Sequence, residues 1–276
     1  MENRPALVVL GCGFTGVEAA RLARAEGREV LGSTRSSAHA AELAALGIEA
    51  RVLPRLDAAA VRELVPAGAD VLITFPPDGA TDALIAPALG AARALVYISS
   101  TAVYGDAAGE IDERVPVDPS APRASARLAA EEAYRAQGGV ILRSAAIYGP
   151  GRGLHVRLAR GEHRLAEDGL AVVSRIHVTD LARLALAALD RGPRCAIFNA
   201  ADAAPVPQIE VITWLAARLG VPVPPSVPPE TLHETLRHDR AVDGSLARRT
   251  LGVDLVYPSY LEGFAACLAP QREALR

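Results

Sequence analysis

The feature that most constrains this chain is a glycine pattern in one particular setting. Gly11-Cys12-Gly13-Phe14-Thr15-Gly16 follows a short apolar run, Ala6 to Leu10, and opens an alanine-rich stretch that reaches Glu26. In isolation a G-x-G-x-x-G match is weak, but between a strand and a helix it marks a dinucleotide-binding turn. Gly11 permits the tight turn, Gly13 lets the backbone approach a pyrophosphate, and Gly16 lets the helix pack closely. Phe14 and Thr15 then stand at the helix N-terminus, where orphan amides and the helix dipole favour negative charge.

Apolar runs and helical stretches keep alternating beyond this point. Strands are predicted at Ala6 to Leu10, Glu29 to Gly32, Ala69 to Phe75, Ala94 to Ile98 and Gly139 to Arg143. Helices are predicted up to Glu26, near Asp82 to Ala91, and at Ser125 to Gln137. This rhythm predicts an α/β fold, a Rossmann-type doubly wound parallel sheet with a small C-terminal substrate lobe. The 276 residues, half of them hydrophobic, suit a single domain. Its cofactor-binding core is expected at 1–150, and 151–276, where strands become sparse, is expected to be mostly the lobe. Ligands in such sheets sit beyond the carboxyl ends of the strands, so the residues after each apolar run matter most.

The second strand ends in Gly32-Ser33-Thr34-Arg35-Ser36, with no carboxylate to hold the ribose hydroxyls of NAD. Arg35 is suited to a 2′-phosphate and Ser33, Thr34 and Ser36 supply hydroxyls, so NADP(H) is expected in preference to NAD(H). A solvated surface arginine is the plainer alternative.

Composition narrows the partners. All 29 residues counted as lysine or arginine are arginines, and the formal net charge is −3. The charges are interspersed, leaving no basic stripe for nucleic acid and no cationic face for a membrane, so a small-molecule substrate is expected. No apolar run has membrane-spanning length. Cys12, Cys195 and Cys267 are too scattered to suggest a disulfide framework or a metal site. The opening Met1 to Pro5 runs into the first strand without the apolar stretch of an export signal, and a reducing cytoplasm is the expected compartment.

Longer motifs add a resemblance. Tyr97-Ile98-Ser99-Ser100-Thr101-Ala102-Val103-Tyr104-Gly105 is followed by Leu142-Arg143, by Tyr148-Gly149-Pro150-Gly151-Arg152, and by Arg175-Ile176-His177-Val178-Thr179-Asp180. With Tyr257-Pro258-Ser259-Tyr260-Leu261-Glu262-Gly263, these resemble the extended short-chain dehydrogenase/reductase superfamily, in particular its NAD(P)-dependent epimerase/dehydratase-like members. The resemblance covers nearly the whole chain. It implies that Ser100 hydrogen-bonds the substrate oxygen beside the nicotinamide, and it suggests a homodimer formed through exposed helices. It also implies a tyrosine acid/base four residues before a lysine, whose charge lowers the phenol pKa and whose ammonium holds the ribose.

Here the sequence departs from the family, because Arg123 stands at the tyrosine position and Arg127 at the lysine position. Arg127 still donates to ribose hydroxyls, but a guanidinium stays protonated and does not alternate as acid and base. Tyr148 is the favoured replacement, ahead of Tyr104 and His177, although each serves equally well as a packed wall residue or structural hydrogen-bonder. Ala146 replaces an asparagine that many nucleotide-sugar members carry, which argues against a nucleotide-sugar substrate. Arg143, Arg152 and Arg175 either form an anion-binding wall or pair with nearby carboxylates. The resulting expectation is an NADP-dependent oxidoreductase or epimerase/dehydratase-like enzyme. It transfers hydride to or from a small polar carbonyl or alcohol with non-standard acid/base chemistry. The alternative is a catalytically degenerate NADP(H)-binding sensor.

Overall fold

The computed structural model describes residues 4–228, 231 and 239–269, so Met1 to Asn3, part of the opening segment read above, lie outside the described residues. β1 (Leu7–Leu10) leads into α1 (Phe14–Ala25), followed by β2 (Val30–Thr34), α2 (Ser37–Ala45), β3 (Glu49–Val52), α3 (Ala58–Leu64), β4 (Asp70–Ile73), α4 (Thr81–Ile85) and β5 (Ala94–Ser100). Next come β6 (Gly109–Ile111), α5 (Ser125–Ala136), β7 (Val140–Ser144), β8 (Ala146–Tyr148), α6 (Leu154–Ala159), β9 (Leu165–Ala166), β10 (Arg175–His177) and α7 (Val178–Arg191). The described chain continues through β11 (Ile197–Ala200), α8 (Gln208–Leu219), β12 (Ser226–Val227), β13 (Arg240–Val242), α9 (Ser245–Leu251) and α10 (Tyr260–Leu268).

Seven strands form one parallel sheet in the order β11-β7-β5-β4-β1-β2-β3. Strand order reverses between β1 and β4, which opens the crevice where ligands of doubly wound folds lie. The central strands are buried on both faces, as the continuous apolar runs of β1 and β4 require. Period-two alternation divides β1 between the layers. Leu7 and Val9 pack with Ala19, Ala23 and Leu184 of α1 and α7, while Val8 and Leu10 pack with Val61, Ile85 and Tyr134 of α3, α4 and α5.

Differences from the sequence expectation have local causes. β3 carries Glu49 and Arg51 exposed on the sheet edge, so no apolar run announces it. The helix expected at Asp82 to Ala91 stops at Ile85 and continues as a 3-10 turn over Ala86–Leu89, where Pro87 lacks the amide an α-helix needs. Residues beyond 150 are not solely a lobe: α7 packs on α1, and β11 adds a strand beyond β7. The lobe itself is made by the pairs β8–β10, β9–β12 and β6–β13 and by α6, α8 and α10, with a core of Leu154, Val211, Leu215 and Phe264. No described helix is long and apolar enough to cross a membrane.

A buried polar cluster fixes the carboxyl ends of β5 and β7. Arg143 of β7 pairs with Glu131 of α5 at 2.8 Å, and Ser99 of β5 donates to the same carboxylate at 2.6 Å. Tyr104 accepts from Arg143 at 3.3 Å and donates to Asn199 of β11 at 2.8 Å. Removing one partner strands the other charge away from water. Glu131→Leu is expected to cost about 3–5 kcal/mol of stability in urea denaturation, and Glu131→Leu with Arg143→Met together to recover most of it.

Candidate active site

The glycine turn sits at the mouth of the crevice. Gly11 has φ +79°, and a Cβ there would lie 2.7 Å from the Cβ of Phe75. Gly16 is the seat of α1 on β1, since a Cβ there would lie 2.8 Å from Val9 Cγ1 and 3.0 Å from Thr74 Oγ1. Gly13 is different: the nearest atom to an added Cβ is Gly11 O at 3.8 Å, so the protein itself leaves that space open. The Gly11 amide donates to Ser33 Oγ at 2.9 Å, and Thr74 Oγ1 donates to Gly11 O at 2.6 Å. The turn is thereby locked to β2 and β4. No acidic residue stands in the first turn of α1, whose free amides open onto a cleft of about 980 Å³. A cradle of small residues under unpaired amides fits a diphosphate.

Beyond β2 the cleft is lined by Thr34, Arg35, His39 and Arg55. The two arginines are exposed, and His39 is half-buried. His39 meets the Glu42 carboxylate and Cys12 O, each at 2.8 Å, and the Glu42 contact, followed by the Cys12 contact, raises its pKa. Both contacts favour the protonated ring. Ser36 does not line the cleft; its hydroxyl caps α2, accepting from the His39 amide at 3.3 Å.

At the other end the cleft meets a second cavity of about 700 Å³. Ser100, Arg123 and Arg152 line both. Ser100 ends β5, and its Oγ accepts from the Ala102 amide at 3.2 Å. Arg127 lines the cleft alone and faces the buried Tyr97, whose phenol pKa burial raises and the Arg127 charge lowers.

A model of the NAD dependent epimerase/dehydratase family matches residues 7–201, well over half of the chain. The chain belongs to that family. A conserved protein of unknown function from Silicibacter pomeroyi is 31% identical, with a TM-score of 0.82 over 96% of this chain and 98% of that one. UDP-glucuronic acid 4-epimerase from Bacillus cereus, solved with NAD, shares the fold at 16% identity, with a TM-score of 0.78 over 95% and 96% of the two chains. A 3-diazoavenalumate denitrifying reductase from a Streptomyces species is 28% identical over 200 residues. That match spans 64% of this chain and 66% of the reductase, just short of two thirds of its length. That family is one of NAD-dependent epimerases and dehydratases.

The epimerase/dehydratase fold does not bring every expected residue to the cleft. Tyr148 lines neither cavity; it is 3% exposed and packs against Phe264 at 4.3 Å between ring centroids. A Cβ at Gly263 would overlap its Oη, which has no hydrogen-bond partner among the described residues, and burial raises its pKa. The lobe closes over this phenol, so it is not placed to carry the substrate's proton. Tyr104 is tied into the Arg143 cluster. His177 caps α7 by accepting from the Thr179 amide at 3.2 Å, and burial lowers its pKa to about 4.

The expected anion wall is also redrawn. Arg143 is committed to Glu131, and Arg175 is buried beside the charge of Asp202, outside both cavities. Of the three, Arg152 alone lines the cavities, its guanidinium 5.1 Å from the Phe14 ring centre. Sequence reasoning missed His39, Arg55, Arg157 and Arg240, which follow or belong to elements with weak local signals. Because its hydroxyl is unpartnered, Tyr148→Phe is expected to leave stability within about 1 kcal/mol of the parent in chemical denaturation. A loss above about 3 kcal/mol would reveal a bond the packing does not show.

Proposed function

We propose that this enzyme is an NADP-dependent oxidoreductase that reduces a small polar carbonyl compound, or oxidises the corresponding alcohol. One observation carries the reading: Ser100 and Arg123 form a wall shared by the dinucleotide cleft and the second cavity. When bound, the dinucleotide supplies or accepts hydride. Because Ser100 Oγ accepts from Ala102, its own proton is left to donate to a substrate oxygen across that wall. Arg123 sets a permanent positive charge beside the same oxygen. A guanidinium that stays protonated stabilises developing negative charge without transferring a proton, so the proton reaches the oxygen from water. The Streptomyces reductase supports reduction as the working direction. A cavity adjoining Ser100 favours turnover over a sensor, which needs no substrate space.

The phosphorylated cofactor is favoured by Arg35, Arg55 and His39 together. Among the β2 and β3 residues that line the cleft, none is acidic.

Arg35→Ala is expected to weaken NADPH about 10- to 100-fold in fluorescence titration while changing NADH little; equal losses would defeat the NADP assignment. Ser100→Ala is expected to lower turnover on a carbonyl substrate about 100-fold with NADPH affinity retained. Unchanged turnover would remove Ser100 from the chemistry. His39 has a raised pKa and carries its charge below it, so NADPH affinity is expected to fall as pH rises through that pKa. His39→Gln should flatten that profile.

A further inference from the structure

Among the described residues, more arginines than carboxylates line the cavity beyond Ser100. Arg123, Arg152, Arg157 and Arg240 line it, against Asp106 and Asp118. The Asp118 carboxylate accepts from the Ser120 amide at 2.9 Å and its hydroxyl at 2.6 Å, and Asp106 is exposed. None of the three residues Arg152, Arg157 and Arg240 makes an ion pair with a described residue.

Arg240 stands out among them because it is 6% exposed. Its Nε donates to Ala107 O at 2.7 Å and its Nη1 to Thr101 O at 2.9 Å, while Nη2 has no partner among the described residues. Both partners are neutral carbonyls. Among the other buried guanidiniums, Arg28 pairs directly with Asp70 and Arg143 with Glu131, whereas Arg175, outside the cavity, lies beside Asp202 without a direct ion pair among the described residues. A guanidinium taken out of water without a direct ion pair is costly, and burial pulls the Arg240 pKa below its ordinary value, with the charge of Asp106 opposing this. The uncompensated charge is held one residue from Ser100, through Thr101.

Building on the oxidoreductase reading, we infer that the substrate brings the missing counter-ion: the cavity takes oxo acids, whose carboxylate is received by Arg240 while their carbonyl faces Ser100. Two of the five guanidinium N–H donors are engaged, so three remain, on Nη1 and Nη2, for a carboxylate. Asp106 and Asp118 on the same wall oppose a dianionic phosphoryl group. Arg152 and Arg157 supply the remaining positive charge of the cavity and raise the local concentration of anions.

The test compares 2-oxo and 3-oxo acids of graded length with their methyl esters, using the full chain and NADPH. The acids are expected to exceed the esters about 100-fold in kcat/KM, and Arg240→Met to abolish that ratio through KM, with NADPH affinity retained. An acid-to-ester ratio near one on the unmodified chain overturns the inference, whether or not Arg240→Met folds. A separate calorimetric titration with hexanoate, benzoate and methyl phosphate isolates the site from the chemistry. Carboxylate binding that Arg240→Met removes supports the site even where no carbonyl compound is reduced, an outcome that would sink the oxidoreductase reading alone. Tighter binding of methyl phosphate, or no binding of either carboxylate, overturns the carboxylate assignment.

Discussion

The structure depends on how closely α1 is seated on β1. Gly16 lets the helix approach to the point where any side chain would strike Val9 and Thr74. That contact fixes where the helix begins, and with it where its unpaired amides point. Gly11 turns the chain with a positive φ, and Ser33 and Thr74 clamp the turn from β2 and β4. The crevice at the reversal of strand order is therefore a consequence of packing. Gly13 is the exception, because nothing in the protein needs it to be small. Space kept clear by a residue the fold does not require is space kept for a ligand.

A second constraint sits at the far end of the cleft. Glu131 binds Ser99 and Arg143, joining α5 to β5 and β7 just behind Ser100 and one turn beyond Arg127. The hydroxyl at the end of β5 and the arginines at the start of α5 are thus carried on one rigid unit. A chain without lysine meets the cleft with guanidiniums throughout, which hold charge strongly and give up no proton. In the proposed reaction such a site stabilises an anion and leaves proton transfer to water.

How much of this was legible in the sequence follows from where each residue gets its environment. β1, the glycine turn and α1 are local: an apolar run, three glycines and an alanine-rich helix suffice to write them. β5 with Ser100 is legible for the same reason. β3 was hidden because an edge strand with Glu49 and Arg51 has no continuous apolar face, and Arg55 beyond it was hidden too. Tyr148 shows the opposite failure. Its motif placed it beside the cleft, but α10, from the far end of the chain, closes over it through Gly263 and Phe264. Arg240 looks like a surface charge in sequence; its burial comes from packing against the turn after β5, which no local pattern records.

The central claim is that a dinucleotide lies over the open ground at Gly13, across the amides that begin α1. Isothermal titration of NADPH into the parent chain and into Gly13→Val tests it most directly, with thermal melting of both as the control. The account predicts one dinucleotide bound per parent chain, and a Gly13→Val protein that melts like the parent but gives no binding heat. Equal NADPH binding by both proteins, or none by the folded parent, would contradict it.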